Sequence, residues 1–363
     1  MIYLDYAATS PMSEIALETY EKIAKKYYGN AASLHEEGWM AKQVLENARA
    51  MIARIAGVEA RGIYFTGSGT EANLIGIMSL ALASTKRHII TSMAEHTSVH
   101  AAMNTLERMG YSVTRLPLQQ NGLIDCDEVE RMIDNDTCML ALQHINPEIG
   151  SIQPIAQLAE IARRHEVLLH VDCVQSFAKV PLDFVRHIDS FSCSAHKIGG
   201  PKSCGAVYIK PGSRIVPLFP GLTHEKGLRG GTVDVAANGA FAVAAEACSN
   251  QINHRHFTTL RNVLKKRLAG NKYTLLEASV QYPGICGLLV HGYEGQYVML
   301  RLSERGVMVS TGSACDSSHE AGTKAIMAMG ASVDEARQFF RISFGARTTI
   351  KEIEILCEIL NDF

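Results

Sequence analysis

The chain has 363 residues, with 35 Lys and Arg against 37 Asp and Glu, and a formal charge of −2. That balance argues against the basic surface a nucleic-acid partner needs, and the lack of any run of about 18 apolar residues argues against a membrane-spanning helix. At 47% hydrophobic and 20% charged it has enough apolar material for a sizeable core.

The opening MIYLDYAATS carries Asp5 and no basic run, so it does not read as a secretory signal. GIYFTG (62–67) reads as a strand running into a turn, and EANLIGIMSLALAS as the helix after it. HIITS (88–92) is a strand candidate. TSVHAAMNTLERMG follows as a helix, with Gly110 suited to end it. YSVTRLPL, CMLALQHI, EVLLHVD, SFSCSA and GAVYIK are further strand candidates. PIAQLAEIARRH reads as a helix between two of them, opening at Pro154 and closing on basic residues. Strands alternating with helices imply an α/β layer around a mainly parallel sheet. An alanine-rich helical run begins near Ala236, and the pattern changes after about Asn253. We therefore expect an N-terminal segment (1–15) joining a small domain, a large domain (16–252), and a small α+β domain (253–363).

Ligands of such sheets collect at the carboxyl ends of the strands, where several polar residues fall. TGSGTEAN (66–73) is a glycine turn entering a helix, so bare N–H groups near Gly69 suit an anion, with Thr70 adding a hydroxyl or simply capping. HVDCVQS places Asp172 at the end of a buried strand, where a carboxylate needs a partner such as a protonated ring nitrogen. Gln175 lies three residues on. SCSAHKIGG sets Lys197, flanked by Ser194 and His196, between a strand end and a Gly-Gly turn. Partial burial there makes a lysine a candidate for Schiff-base chemistry. His96 follows HIITS and is placed to stack on a flat cofactor, move protons or cap a helix. Arg341 in RISFG offers a fork for a substrate carboxylate. Together these meet the requirements of pyridoxal 5'-phosphate. The nine cysteines include no CxxC pair and read as reduced cytoplasmic thiols. Eight sit mostly among apolar neighbours; Cys315 instead sits in STGSACDSSHE, a loop-forming stretch. No metal-ligand spacing appears.

Nearly end to end, the chain resembles the NifS/IscS-type cysteine desulfurases, pyridoxal-phosphate enzymes of the aspartate-aminotransferase fold (fold type I, with a seven-stranded-type sheet). The resemblance is carried by YLDYAATSP (3–11), SGTEAN (68–73), AEHTSV (94–99), HINPEIG (144–150), HVDCVQS (170–176), SAHKIGGPK (194–202), HEKGLRGGT (224–232), STGSACDSS (310–318) and RISFG (341–345). It implies that Lys197 bonds the cofactor, Asp172 holds its ring nitrogen, Gln175 its phenolic oxygen, and His96 stacks on the ring. Thr70, the N–H groups around Gly69, Ser194 and His196 would bind the phosphate. Thr232 would reach the phosphate of a neighbouring subunit in a homodimer. Arg341 would bind the carboxylate of L-cysteine. Cys315 would take the substrate's sulfur as a persulfide, release alanine, and pass the sulfur to a protein acceptor, an iron–sulfur scaffold or a dedicated client enzyme. Pro147 replaces the second Asn common in the family and cannot supply its amide, so either Asn146 takes over the substrate contact or that contact is lost. A selenocysteine lyase, another pyridoxal-dependent aminotransferase or lyase, and an inactive scaffold homologue are the alternatives.

Overall fold

The computed structural model describes residues 1–268, 270, 272–311 and 323–363. In chain order the strands are β1 (Ile2–Tyr3), β2 (Ile63–Thr66), β3 (His88–Ser92), β4 (Ser112–Leu116), β5 (Thr137–Gln143), β6 (Leu168–Asp172), β7 (Ser190–Ser194), β8 (Gly205–Ile209), β9 (Tyr273–Leu275), β10 (Ile285–Val290), β11 (Val307–Met308) and β12 (Phe339–Ser343). Seven of them form one sheet in the order β2-β8-β7-β6-β5-β3-β4. Within it β8 runs antiparallel to both neighbours and every other pairing is parallel. The fold is thus the expected α/β layer around a mainly parallel sheet.

The central strands are buried throughout, which is why TCMLALQ is a continuous rather than alternating apolar run. One face packs against helices Glu36–Ala56, Ile155–Arg164 and Val235–Gln251, through Leu45, Ile52, Leu158 and Phe241. The other face packs against Gly69–Ala81 and Thr97–Arg108, through Ile75, Leu80, Val99 and Leu106. Helix Gly69–Ala81 carries no polar face, consistent with its place against the sheet.

A second, antiparallel sheet has the order β12-β10-β9. Helices His254–Arg267 and Ile350–Asn361 bury Phe257, Leu264, Leu356 and Leu360 in a common cluster with its Leu288, Phe340 and Ile342. The N-terminal segment joins this layer. β1 pairs with β11, and Asp5 bridges to Ser343, the last residue of β12. That path brings Asp5 to Arg341.

Candidate active site

The carboxyl ends of β2, β3, β5, β6 and β7 lead into one cavity of about 190 Å³. Its walls include Gly69, Thr70, Asn73, His96, Asp172, Gln175, Ser194, His196, Lys197 and, from the second sheet, Arg341. The polypeptide separations are large, from 69 to 341, and the strand order collects them.

The glycine turn comes first. Ser68 caps helix Gly69–Ala81, its Oγ accepting from Glu71 N at 3.1 Å. Glu71 accepts in turn from Gly67 N–H and is held from behind by Arg229 at 3.0 Å. A Cβ on residue 69 would stand 2.7 Å from Val174 Cγ2 and 3.1 Å from Ser194 Cβ, so only glycine fits. The first N–H groups of a helix lack intrahelical acceptors, and here they face the cavity beside Thr70. Ser194 closes this corner. Its Oγ is buried and has no hydrogen-bond partner among the described residues, a feature that calls for a ligand or a water. His196 hydrogen-bonds Thr9 Oγ1 through Nδ1 at 3.1 Å. Burial, with the neighbouring Lys197 cation, pushes it down to about 4, so it is a neutral ring.

Asp172 ends β6 at 6% exposure. Its Oδ2 accepts from Asn73 Nδ2 at 2.8 Å and its Oδ1 from Val174 N at 2.9 Å. Asn73 is itself fixed, because its Oδ1 accepts from Ser192 Oγ at 2.5 Å and contacts His170 Nε2 at 3.0 Å. Complete burial pushes His170 down to about 3. A neutral His170 therefore donates from Nε2 to Asn73 and accepts from Ser190 Oγ on Nδ1, at 2.7 Å. Asn73 was not read as a functional residue from sequence, although it closes the SGTEAN motif.

His96 caps helix Thr97–Arg108, its Nδ1 accepting from Ser98 N at 3.1 Å, so a helix cap and a cavity wall are one residue. Lys197 ends a short 3-10 turn after β7, and its Nζ donates to Ala7 O and Ala8 O, both at 2.7 Å. Gln175 Nε2 donates to the same Ala7 O at 2.8 Å. Arg341, 3% exposed, donates from Nη2 to Asp5 Oδ1 at 2.7 Å and from Nη1 to Pro147 O at 2.9 Å. Its Nε is buried with no partner among the described residues.

Asn146 is not among the residues that wall this cavity. Its Oδ1 accepts from Glu148 N and Ile149 N at 2.9 and 3.0 Å, making it the brace of its own turn. Pro147 and Glu148 form the wall instead. Glu148 is 3% exposed, accepts from Ala325 N at 2.7 Å, and has its carboxyl pushed up by burial. Thr232 is exposed and is not part of this cavity's wall. Cys315 lies outside the described residues. Of the other eight cysteines seven are buried and Cys248 is half-buried. Among the described residues there is no metal-ligand cluster, and no helix is long and apolar enough to cross a membrane.

Residues 2–356 match the class-V aminotransferase family. The chain belongs to that family. It is 42% identical to a putative cysteine desulfurase NifS of Bacillus subtilis (strain 168), over 98% of this chain and 93% of that one. It is 34% identical to the cysteine desulfurase IscS of Dictyoglomus turgidum, over 99% and 91%. Among solved structures, a NifS-like protein superposes over the whole of both chains with a TM-score of 0.92 at 30% identity. SspA in complex with cysteine matches at TM-score 0.84 and 30% identity, over 96% of this chain and 100% of that one. The class-V family is one of enzymes, and the NifS/IscS members are the relatives that the whole chain follows.

Proposed function

We propose that the chain is a cysteine desulfurase that takes sulfur from L-cysteine, releases L-alanine, and holds the sulfur as a persulfide on Cys315. The observation that carries this reading is the convergence of Lys197, Asp172, Gln175, His96 and Ser194 on one cavity that Arg341 closes from the second sheet.

The residues present fit pyridoxal 5'-phosphate. The orphaned Ser194 Oγ, Thr70, the N–H groups at Gly69 and the neutral His196 suit the phosphate. Asp172, fixed by Asn73, suits a protonated ring nitrogen, and Gln175 the phenolic oxygen. Bound there, the cofactor supplies an electron sink for bonds at the substrate's α-carbon. Lys197 Nζ would tie the group to the protein and would serve as the base that moves a proton at that carbon. His96, in the cavity wall, would cover the ring of the bound group. Arg341 orients the substrate by its carboxylate. Cys315, as thiolate, forms the S–S bond to the substrate sulfur. The substrate's C–S bond breaks, its pair stays with carbon, and carbon gains a proton to become the methyl of alanine.

We assign residues 16–252 to a large cofactor-binding domain and 253–363, joined by 1–15, to a small one; the separate buried clusters support the division. We also assign the chain to a cytoplasmic homodimer in which Thr232 reaches the partner's phosphate. Leu34, Trp39, Phe219 and Leu222 are exposed apolar side chains that such a contact would cover. The persulfide passes to a protein acceptor, an iron–sulfur scaffold or a single client enzyme. The test is Cys315→Ala in the cofactor-loaded protein. It should keep its visible band and its response to L-cysteine while alanine and sulfide release are lost. Retained desulfuration would refute thiolate attack by Cys315.

A further inference from the structure

Behind the first cavity lies a second of about 320 Å³, and the two share Ala7, Gln175 and Lys197. The second is lined by Phe257, Tyr282, Phe344 and Ile252, with Lys179 in its wall. Lys179 is only 8% exposed. The charged or titratable groups around it are the Cys248 thiol on helix Val235–Gln251, the Arg341 guanidinium on β12 and His196 after β7, and the cavity wall also carries Lys197, Tyr282, Arg347 and Glu14; among the described residues no carboxylate is ion-paired or hydrogen-bonded to its Nζ. An ammonium buried without an ion-paired carboxylate is unfavourable, and burial lowers it to about 8.

The backbone nevertheless holds it there. Ala178 takes φ of 59°, a left-handed conformation uncommon for a residue with a Cβ. Lys179 N donates to Ser176 O at 2.9 Å, and its carbonyl accepts from His254 Nε2 at 2.6 Å. Such local strain persists where the surroundings impose it.

The ammonium reaches the catalytic lysine through one chain of hydrogen bonds. Lys179 Nζ donates to Gln175 Oε1 at 3.2 Å, Gln175 Nε2 donates to Ala7 O at 2.8 Å, and Lys197 Nζ donates to the same oxygen at 2.7 Å. An ammonium only donates and a carbonyl only accepts. Both ends therefore fix the same orientation of the Gln175 amide, oxygen toward Lys179 and nitrogen toward Ala7. The amide nitrogen carries two N–H groups. One is on Ala7, and the other remains for the first cavity.

We propose that Lys179 is a positioning residue: its ammonium locks the Gln175 amide so that Nε2 presents a donor to the phenolic oxygen of the bound cofactor. The role rests on the cofactor reading above. A donor there competes for the electron density that a proton would use, so its loss raises the basicity of the cofactor's chromophore.

The experiment is a pH titration of the visible band in protein loaded with pyridoxal 5'-phosphate, together with thermal unfolding. Lys179→Met should move the midpoint up by roughly one pH unit, the size expected for a hydrogen bond to a charged group. Its Tm should stay or rise, because methionine of similar length removes an uncompensated buried charge. Lys179→Arg restores a donor and should return the midpoint toward wild type. Gln175→Met should shift it as Lys179→Met does, and the double variant no further than Gln175→Met alone. That comparison stands on Lys179→Arg and Gln175→Met should Lys179→Met not fold. An unmoved midpoint in Lys179→Met, or a lower Tm with the midpoint fixed, overturns the positioning role while the wild-type band preserves the cofactor reading. Shifts that add in the double variant overturn it also. A wild-type protein that takes up no pyridoxal phosphate overturns the cofactor reading, and this role with it.

Discussion

Arg341→Lys tests the substrate end of the cavity. The guanidinium is 3% exposed and uses one nitrogen on Asp5, 2.7 Å away, and a second on Pro147 O at 2.9 Å. The third, Nε, is buried and unpartnered. Five N–H groups in a rigid fork let one side chain hold Asp5, brace the Pro147 turn and meet a substrate carboxylate. A lysine keeps the charge but has one nitrogen, which Asp5 will hold. The substrate then loses a charge-assisted hydrogen bond worth about 1.5–3 kcal/mol, or roughly 10- to 150-fold in kcat/KM at about 1.4 kcal/mol per tenfold. The loss should fall on KM, because a carboxylate remote from the reacting atoms is bound alike in ground and transition states. Stability should change little, since the Asp5 pair survives. Arg341→Met instead leaves Asp5, 18% exposed, without its cation. For a fully buried pair that costs about 3–5 kcal/mol, and the partial exposure of Asp5 sets this as an upper bound. The assay is alanine formation against L-cysteine concentration, with calorimetric unfolding of both variants. An unchanged KM in Arg341→Lys, beside a destabilised Arg341→Met, would reduce Arg341 to a structural ion pair and refute the substrate role.

Two further outcomes follow from orphaned or shifted groups. Ser194→Ala removes a hydroxyl that has no partner in the chain, so stability of the cofactor-free protein should hold or rise. Retention of pyridoxal phosphate should weaken about tenfold or more, by one lost bond to a charged group; equal retention in dialysis would contradict the phosphate assignment. Glu95 is wholly buried and pushed up to about 8 by burial, so the folded state keeps a proton that the unfolded state releases near its ordinary value. Its contribution to stability is present at low pH and is lost as pH rises through about 8. Glu95→Gln should gain on wild type by about 1.4 kcal/mol per pH unit between the ordinary and the shifted value, so its advantage should be roughly 3 kcal/mol larger at pH 9 than at pH 6. Parallel urea curves at both pH values would contradict this.

Local signals carried much of the fold. HIITS is a strand over the residues read for it, and Pro154 opens its helix as expected because a proline at a helix start loses no needed bond. Asp172 and Lys197 were legible because a charge at the end of an apolar strand needs a reason to be there. The helices Glu14–Lys26 and Glu36–Ala56 went unread. In the second, the inward face is Gly38, Ala41, Leu45, Ala48 and Ile52, and small residues blur the apolar period that would reveal it. Partnerships across the sheet were not legible. Asn73 and Asp172 are 99 positions apart, and Asp5 and Arg341 are 336 apart. Only strand order and the path of the N-terminal segment make them neighbours. The local bonding of Asn146 was not legible for a related reason. Its side chain bonds to backbone two and three residues on, as asparagine commonly does in turns, and that local bond turns it from the cavity. Glu148 and Lys179 gave weak signals, since an isolated acid or base in sequence reads as surface until burial is known.

The central claim is that one cavity holds pyridoxal phosphate and that Cys315 receives the sulfur. The most direct measurement is mass spectrometry of the Cys315 peptide after the cofactor-loaded protein meets L-cysteine without reductant, with alanine counted alongside. The account predicts that the peptide gains one sulfur atom as one alanine is released per site, and that Lys197→Ala shows neither. Alanine released with Cys315 unmodified, or sulfur found on another cysteine, would contradict it.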